Sequence, residues 1–173
     1  APSKVTIAVG SSNDANYGGN SLSSQIVTVT TSDGDTAGFT LSKTSVSATE
    51  GGTTDNFTVV LNSKPTHTVT VAVTGTTEAS VSPTSLSFDS SNWNKVQIVA
   101  VTAVDDDVDD DQQTSTINVS VSNSSDLKYS SLANQSVTAT TSDDDTAAFT
   151  VTESGGSTIV DENGGNDSIV IAL

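Results

Sequence analysis

Apolar and polar residues alternate along most of this chain, with a period of two that predicts β-strands. The alternation is clearest at residues 56–61, 68–74 and 114–121, where Phe, Val, Leu or Ile recurs at every second position. Turn-forming residues separate the runs, as at Lys64–Pro65 and Ser82–Pro83. No segment shows a helical period, so the sequence predicts an all-β fold.

Seven short strands are predicted between residues 38 and 147. On three of them the inward positions are clear, with Val69, Val71 and Val73 as one example. The inward face of the fifth strand is left open by its continuous apolar run. Seven strands at this spacing predict an Ig-like, Greek-key β-sandwich. The predicted strands are residues 39–48, 56–61, 68–74, 86–88, 96–103, 114–121 and 136–140.

The chain repeats itself at an offset of 110 to 112 residues. This repeat predicts three segments: a first partial repeat (1–37), a complete central repeat (38–147) and a second partial repeat (148–173). The partial repeats suggest two alternatives, a slice of a longer tandem array or a subunit whose ends are completed by strand addition from its neighbours. The matching stretches are 5–9 with 117–121, 31–40 with 141–150, Glu50 with Glu162, and 57–61 with 169–173.

The net charge limits the classes of partner that this chain can bind. The net charge is −16, from five Lys, no Arg and 21 acidic residues. This balance argues against nucleic acid and anionic membrane surfaces as partners, because both require a basic face. No apolar run is long enough to span a membrane. Cys is absent, which excludes disulfides and thiolate metal sites.

One stretch concentrates the negative charge. Residues 104–111 hold six carboxylates in eight positions, and residues 143–145 add three more. The fifth and seventh predicted strands run in the same direction if the sixth is antiparallel to both, so the two acidic clusters should emerge at one end of the sandwich. Such a group of hard oxygen ligands favours Ca²⁺, which takes about six to eight oxygens. The alternative is a solvated acidic turn that aids solubility.

The motifs Glu50-Gly51-Gly52, residues 104–111 and residues 142–145 resemble those of the Calx-beta domain family. Residues 83–86 and 92–94 are similar to the bacterial repeats of that type. The resemblance implies a seven-stranded sandwich that binds several Ca²⁺ at one tip. Asp109 and Asp111 are not among the ligands that it implies, and we expect these two side chains to point outward. The ligands that it implies are Glu50, Asp105, Asp106, the Val108 carbonyl, Asp110, Asp143, Asp144 and Asp145, with Asp33, Asp35 and Glu162 at matching positions in the partial repeats.

The sequence departs from the family pattern in three places. The loop after the third strand offers only Glu78 as a loose substitute for an expected acid. Gln112 and Gln113 replace carboxylates late in the acidic loop, and Gly34 replaces the middle acid between Asp33 and Asp35. These departures concern the number of ions and their affinity.

The remaining conspicuous side chains indicate structural roles. His67 is the only histidine and lies at a strand start, so we predict a surface position and no catalytic pair. Trp93 and Phe88 are expected in the core or over a loop. Tyr129 and Tyr17 recur one repeat apart, which favours a structural corner. We therefore predict that the protein is not an enzyme.

We therefore predict that the chain is a calcium-stabilised structural repeat of a long extracellular or cell-surface protein, which acts as a spacer, adhesin shaft or filament. Its partners would be neighbouring repeats or identical subunits, and a surface or glycan ligand would bind elsewhere in the full protein. Two alternatives stay open: a filament subunit that self-assembles by strand complementation, and an adhesive or carbohydrate-binding accessory module of a secreted protein.

Overall fold

The structure, a computed structural model, describes residues 3–8, 13–14, 16 and 24–173. The chain forms two compact units, Ala1–Asp35 and Thr36–Leu173. In the first unit, β1 (Ser3–Ile7) and β2 (Gln25–Val29) pair antiparallel. Tyr17, expected at a structural corner, lies outside the described residues.

Nearly all of the regular secondary structure of the second unit is β-strand, which confirms the all-β prediction. Polar turns and loops separate the strands, and most strands of the two large sheets bury every second residue. The strands are β3 (Phe39–Leu41), β4 (Ser45–Thr49), β5 (Asp55–Leu61), β6 (Val69–Thr74), β7 (Ala79–Ser82), β8 (Ser85–Phe88), β9 (Gln97–Ala103), β10 (Gln113–Ser124), β11 (Gln135–Ser142), β12 (Thr150–Glu153) and β13 (Ile169–Ala172).

Nine of these strands form two sheets, of order β4-β11-β10-β6-β8 and β3-β5-β9-β7. Side chains from both sheets form one apolar core; Phe57 and Val59 come from the four-stranded sheet, Val71 and Ile117 from the five-stranded one. All four are fully buried. Burying a side chain of this size contributes about 1.5–3 kcal/mol, so this shared core holds the sheets face to face.

Two predicted strands differ from the structure. The run 39–48 splits into β3 and β4, which join different sheets, because the polar segment 42–44 turns the chain between them. The short strand at 86–88 is preceded by β7, which pairs with β9 in the other sheet. The undecided face of β9 is now assigned: Val99 and Val101 are buried, whereas Ile98 is 61% exposed.

The corner predicted at Tyr129 is present. A single helical turn, α1 (Leu127–Ser130), buries this tyrosine, and its hydroxyl donates to the Ser63 carbonyl at 2.5 Å. Asp126 caps the turn by accepting from the Lys128 N–H at 3.0 Å. One turn is too short to show a helical period, which explains why the sequence did not predict it.

The other side chains expected to be structural also lie where the sequence placed them. Phe88 is fully buried and Trp93 packs against the core. His67 is exposed. No described helix is long and apolar enough to cross a membrane.

The strand pairs of the partial repeats follow the registers of the central repeat. In β1–β2, Val5 pairs with Val27; in β10–β11, Ile117 pairs with Val137, and these residues lie 112 and 110 positions further on. Thr40 pairs with Val60 in β3–β5, and the residues 110 and 112 positions further on, Thr150 and Ala172, pair with each other in β12–β13. Backbone pairing and sequence therefore share one repeat frame. The segment boundaries themselves remain predictions.

Candidate metal centre

The centre starts from two strands that run side by side. β4 and β11 are parallel, and Thr49 lies opposite Ser142 at their carboxyl ends. The Glu50 N–H then donates to the Ser142 carbonyl at 3.0 Å. This pairing brings Glu50 and Asp143 together although 93 residues separate them.

The acidic loop, residues 104–112, folds onto Asp143. One carboxylate oxygen of Asp143 accepts the N–H groups of Asp110 and Asp111, at 2.9 and 3.1 Å. The other oxygen accepts the Asp145 N–H at 2.8 Å. The Asp145 amide is the main cause that lowers the pKa of Asp143, because a hydrogen bond to the charged form favours it. Asp143 is thus an ionised anchor for the loop.

Glu50 is almost fully buried. Its side chain is 4% exposed. Desolvation is the main cause that raises its pKa, and the carboxylates of Asp106, Asp143 and Asp110 raise it further. A backbone hydrogen bond from Asp106 acts in the opposite direction. The fold therefore holds Glu50 where its negative charge is disfavoured unless a cation compensates it.

Asp145 likewise has a carboxylate whose charge is disfavoured by burial and by neighbouring acids. Its Oδ2 atom is buried and accepts no hydrogen bond. Desolvation is again the main cause that raises its pKa, followed by the charges of Asp143, Asp144 and Asp107. A buried carboxylate oxygen without a donor costs free energy, and coordination to a metal ion would remove that cost.

The residues present fit a calcium ion. Glu50, Asp143, Asp144 and Asp145 each offer one oxygen, and these atoms lie within 4.8 Å of one another. Calcium–oxygen distances of about 2.3–2.6 Å let oxygens on opposite sides of one ion lie about 5 Å apart. The four oxygens can therefore share one ion without a change of fold.

The structure gathers most of the predicted ligands of the central repeat. Asp105, Asp106 and Asp110 adjoin the four-carboxylate cluster, and Asp105 and Asp106 act on its charges. Val108 is 57% exposed and, with Asp107 and Asp145, lines a groove of about 410 Å³ beside the cluster.

Three predicted ligands belong to the partial repeats. Glu162 is exposed and lies outside the four-carboxylate cluster. Asp33 and Asp35 belong to the first unit. There the Asp35 N–H donates to Asp33 at 3.1 Å, the bond that Asp145 makes to Asp143. The turn at Asp33 thus has the local form of the turn at Asp143.

Three residues of the acidic loop have roles that the sequence did not predict. Asp109, expected to point outward, accepts the Ala147 N–H at 2.6 Å and so ties the loop to the chain beyond β11. Asp107 is close enough to Asp145 to raise its pKa. Asp111 contributes its backbone to the centre and adopts a left-handed φ of 62°. The sequence carries no signal for these roles, since six similar acids share one loop.

Gly51 offers a test of the turn that carries Glu50. Its φ is +56°, and a Cβ there would lie 3.0 Å from Asp144 Oδ2. We expect Gly51→Ala to destabilise the protein by about 1–2 kcal/mol, the usual cost of a left-handed non-glycine residue, and to weaken calcium binding. Urea unfolding in chelator and a calcium titration measure the two effects.

Gly34→Ala is the matched control, because nothing lies within 4 Å of a Cβ at that position. It should change the free energy of unfolding by no more than about 0.5 kcal/mol. Equal stability and equal calcium affinity in the two variants would contradict a role for the Gly51 turn in the centre.

Comparisons with known proteins leave the family open. No family model matches the chain, and no curated protein matches it. Among solved structures 61 chains are similar. The periplasmic chaperone SfaE aligns with 62% of this chain at 14% identity and a TM-score of 0.47, and the E. coli chaperone DraB with 66% at 12% and 0.45. The alignments span 58% and 59% of those chaperones, less than two thirds of either.

Proposed function

We propose that this protein is a calcium-stabilised structural repeat of a long extracellular protein, in which sandwiches of the Calx-beta type follow one another as a spacer, shaft or filament. The observation that carries the proposal is the cluster of four carboxylates whose oxygens lie within 4.8 Å. Calcium, when bound, would supply the positive charge that these groups lack. No catalytic step is part of the proposal.

The position of the cluster favours a structural role. Glu50 follows β4 and Asp143 follows β11, both in the five-stranded sheet. The acidic loop instead leaves β9 of the four-stranded sheet. Neutralising the cluster would therefore join the ends of both sheets, which otherwise repel each other at this tip. The loss of that repulsion would stabilise the folded sandwich.

The tandem arrangement rests on the shared repeat frame. The pairs Val5–Val27 and Ile117–Val137 have the same register at two places in one chain. Asp33 and Asp35 follow β2 as Asp143 and Asp145 follow β11. Similar acidic turns at successive junctions support a function in which calcium stiffens the connections between repeats.

Thermal unfolding in chelator and in millimolar Ca²⁺ tests the proposal. At a hundredfold excess over Kd, an ion that binds only the folded form adds about 2.7 kcal/mol of stability. For a domain of this size that corresponds to a rise of about 5–10 °C in melting temperature. Mg²⁺, which keeps several of its waters and needs octahedral geometry, should produce a much smaller rise.

Equal small rises with both ions would mean charge screening only and would overturn the proposal. If calcium alone acts, small-angle scattering tests the mechanical part on the same sample. We expect a longer maximum dimension with calcium than with chelator, since bound ions would stiffen the junctions. Identical scattering curves would remove the role as a rigid spacer while leaving the calcium site in place.

A further inference from the structure

The acidic loop contacts the chain between β11 and β12 at two points. At the first, Asp143 accepts the N–H groups of two consecutive loop residues, at 2.9 and 3.1 Å. At the second, the Ala147 N–H donates to Asp109 Oδ2 at 2.6 Å. The loop therefore holds both ends of residues 143–147, which we term the junction segment.

The junction segment has little freedom between these two contacts. The Asp145 N–H donates to Asp143 at 2.8 Å, so the first three residues form a closed turn. Residues 107–109 of the loop and residues 146–148 of the chain line the same groove, so the two lie side by side beyond the hydrogen bond itself. A segment that is turned at one end and held at the other transmits the position of the loop to the residues that follow it.

The repeat frame indicates the role of Ala147 in the residues that follow. Its equivalent, 110 positions earlier, is Ala37. Ala37 is half-buried and packs against the core of the central repeat. The next residue, Gly38, accepts the Asn62 N–H at 2.9 Å and so belongs to the same sandwich. By the same frame, the chain enters the following repeat at Ala147.

The direction of the Asp109 side chain has a specific cause. Its carboxylate faces a segment that itself carries three acidic side chains, at positions 143–145, and like charges repel. A carboxylate without a partner would turn to water instead. The Ala147 N–H supplies the attraction, since a hydrogen bond to a charged acceptor is about twice as strong as one between neutral groups.

We propose that Asp109 is a positioning residue that fixes the direction of the following repeat, because it ties the acidic loop to the residue at which that repeat begins. The inference rests on the proposed function, since it takes residues 148–173 as the start of the next repeat and calcium as the ion of the cluster. Without a cation, the six carboxylates of the loop repel those of Glu50 and the junction segment, and the bond to Ala147 opens more often. Asp109 thus makes the joint respond to an ion that it does not itself bind.

The hydrogen bond of Asp109 can be separated from its charge. D109A removes the charge and the acceptor, whereas D109N removes only the charge, because the amide oxygen still accepts an N–H. Both variants change the repulsion within the loop equally, so a difference between them measures the bond to Ala147. Loss of one hydrogen bond is expected to raise the ratio of open to closed joints by about 2- to 10-fold.

Distances between two spin labels measure the freedom of the joint, and labels can be attached specifically because the 173-residue chain contains no cysteine. One pair, Ser85→Cys with Thr152→Cys, spans the joint from β8 to β12. A second pair, Ser85→Cys with Ser47→Cys, lies within the central repeat and reports whether it is folded. All three positions are exposed. Double electron–electron resonance gives the width of each distance distribution, in calcium and in chelator.

In calcium we expect a narrow distribution across the joint when Asp109 is retained and in D109N, and a broad one in D109A. In chelator all three chains should give broad distributions. The pair within the central repeat should stay narrow throughout. The calcium-dependent rise in melting temperature should be the same in D109A and D109N, since Asp109 lies outside the four-carboxylate cluster.

Equal widths across the joint for D109A and D109N would overturn the inference, as would a broad distribution in calcium when Asp109 is retained. Both results leave the proposed function intact as long as calcium alone raises the melting temperature. A chain without that rise, in which D109A still gives a broader distribution than D109N, would do the reverse, since the hydrogen bond would then fix the joint without the ion. A broad distribution within the central repeat of D109A would show that Asp109 supports the sandwich itself and would also overturn the inference.

Discussion

Glu50→Gln is expected to raise the melting temperature in chelator and to abolish most of the rise that calcium produces. The opposite signs have one cause. Glu50 is 4% exposed and its carboxylate faces the charges of Asp106, Asp143 and Asp110, so its charge is unfavourable without a cation and favourable with one. The isosteric amide removes that charge in both states. Thermal unfolding of both proteins, with and without calcium, measures the two effects.

Glu162→Gln is the matched control. Glu162 occupies the equivalent repeat position, but it is exposed and lies outside the four-carboxylate cluster. It should leave both melting temperatures of the central repeat unchanged, with chelator and with calcium. A Glu50→Gln protein that is less stable in chelator and still responds fully to calcium would show that Glu50 has a hydrogen-bonding role and is not a ligand.

The pH dependence of stability, compared between Glu50→Gln and the unmodified chain, gives an independent check on the role of the charge. The pKa values of Glu50 and Asp145 are raised in the folded state. A raised carboxyl pKa contributes stability that is fully present below the unfolded pKa and is lost as pH rises through the folded pKa. In chelator, the advantage of Glu50→Gln over the unmodified chain should therefore be largest near neutral pH and should disappear in acid. An advantage independent of pH would exclude the charge as its cause.

Phe57→Ala should unfold the central repeat or leave it marginally stable, with a loss of about 3–5 kcal/mol. Phe57 is fully buried on β5 and contributes to the core that joins the two sheets. Domains are stable by only about 5–15 kcal/mol, so the loss is a large fraction of the total. Urea unfolding followed by Trp93 fluorescence measures it, because that side chain packs against the same core.

Ile169→Ala is the control for Phe57→Ala, because Ile169 occupies the repeat position that corresponds to Phe57 but is 52% exposed. It should change the unfolding of the central repeat by no more than about 0.5 kcal/mol. Similar losses for the two variants would mean that sequence position in the repeat, rather than burial, determines the effect.

The sequence predicts the strands well because their signal is local. Val69, Val71 and Val73 alternate with polar residues, and burial of one face is the consequence in the structure. Sequence-based prediction fails where neighbouring strands determine which face of a strand is buried. β9 carries apolar residues on both faces, and only its pairing with β5 and β7 determines that Val99 is buried and Ile98 exposed. The division of β3 from β4 likewise depends on which sheet each one joins.

For the candidate centre, the sequence by itself determined its chemistry: a dense group of carboxylates without nearby basic residues, and a glutamate before two glycines. Only the tertiary structure decided which carboxylates meet. The parallel pairing of β4 with β11 brings Glu50 to Asp143 across 93 residues, and the fold of the acidic loop buries Asp145 without a hydrogen-bond donor. Charge is a property of each residue, whereas desolvation and distance arise only when the strands pack.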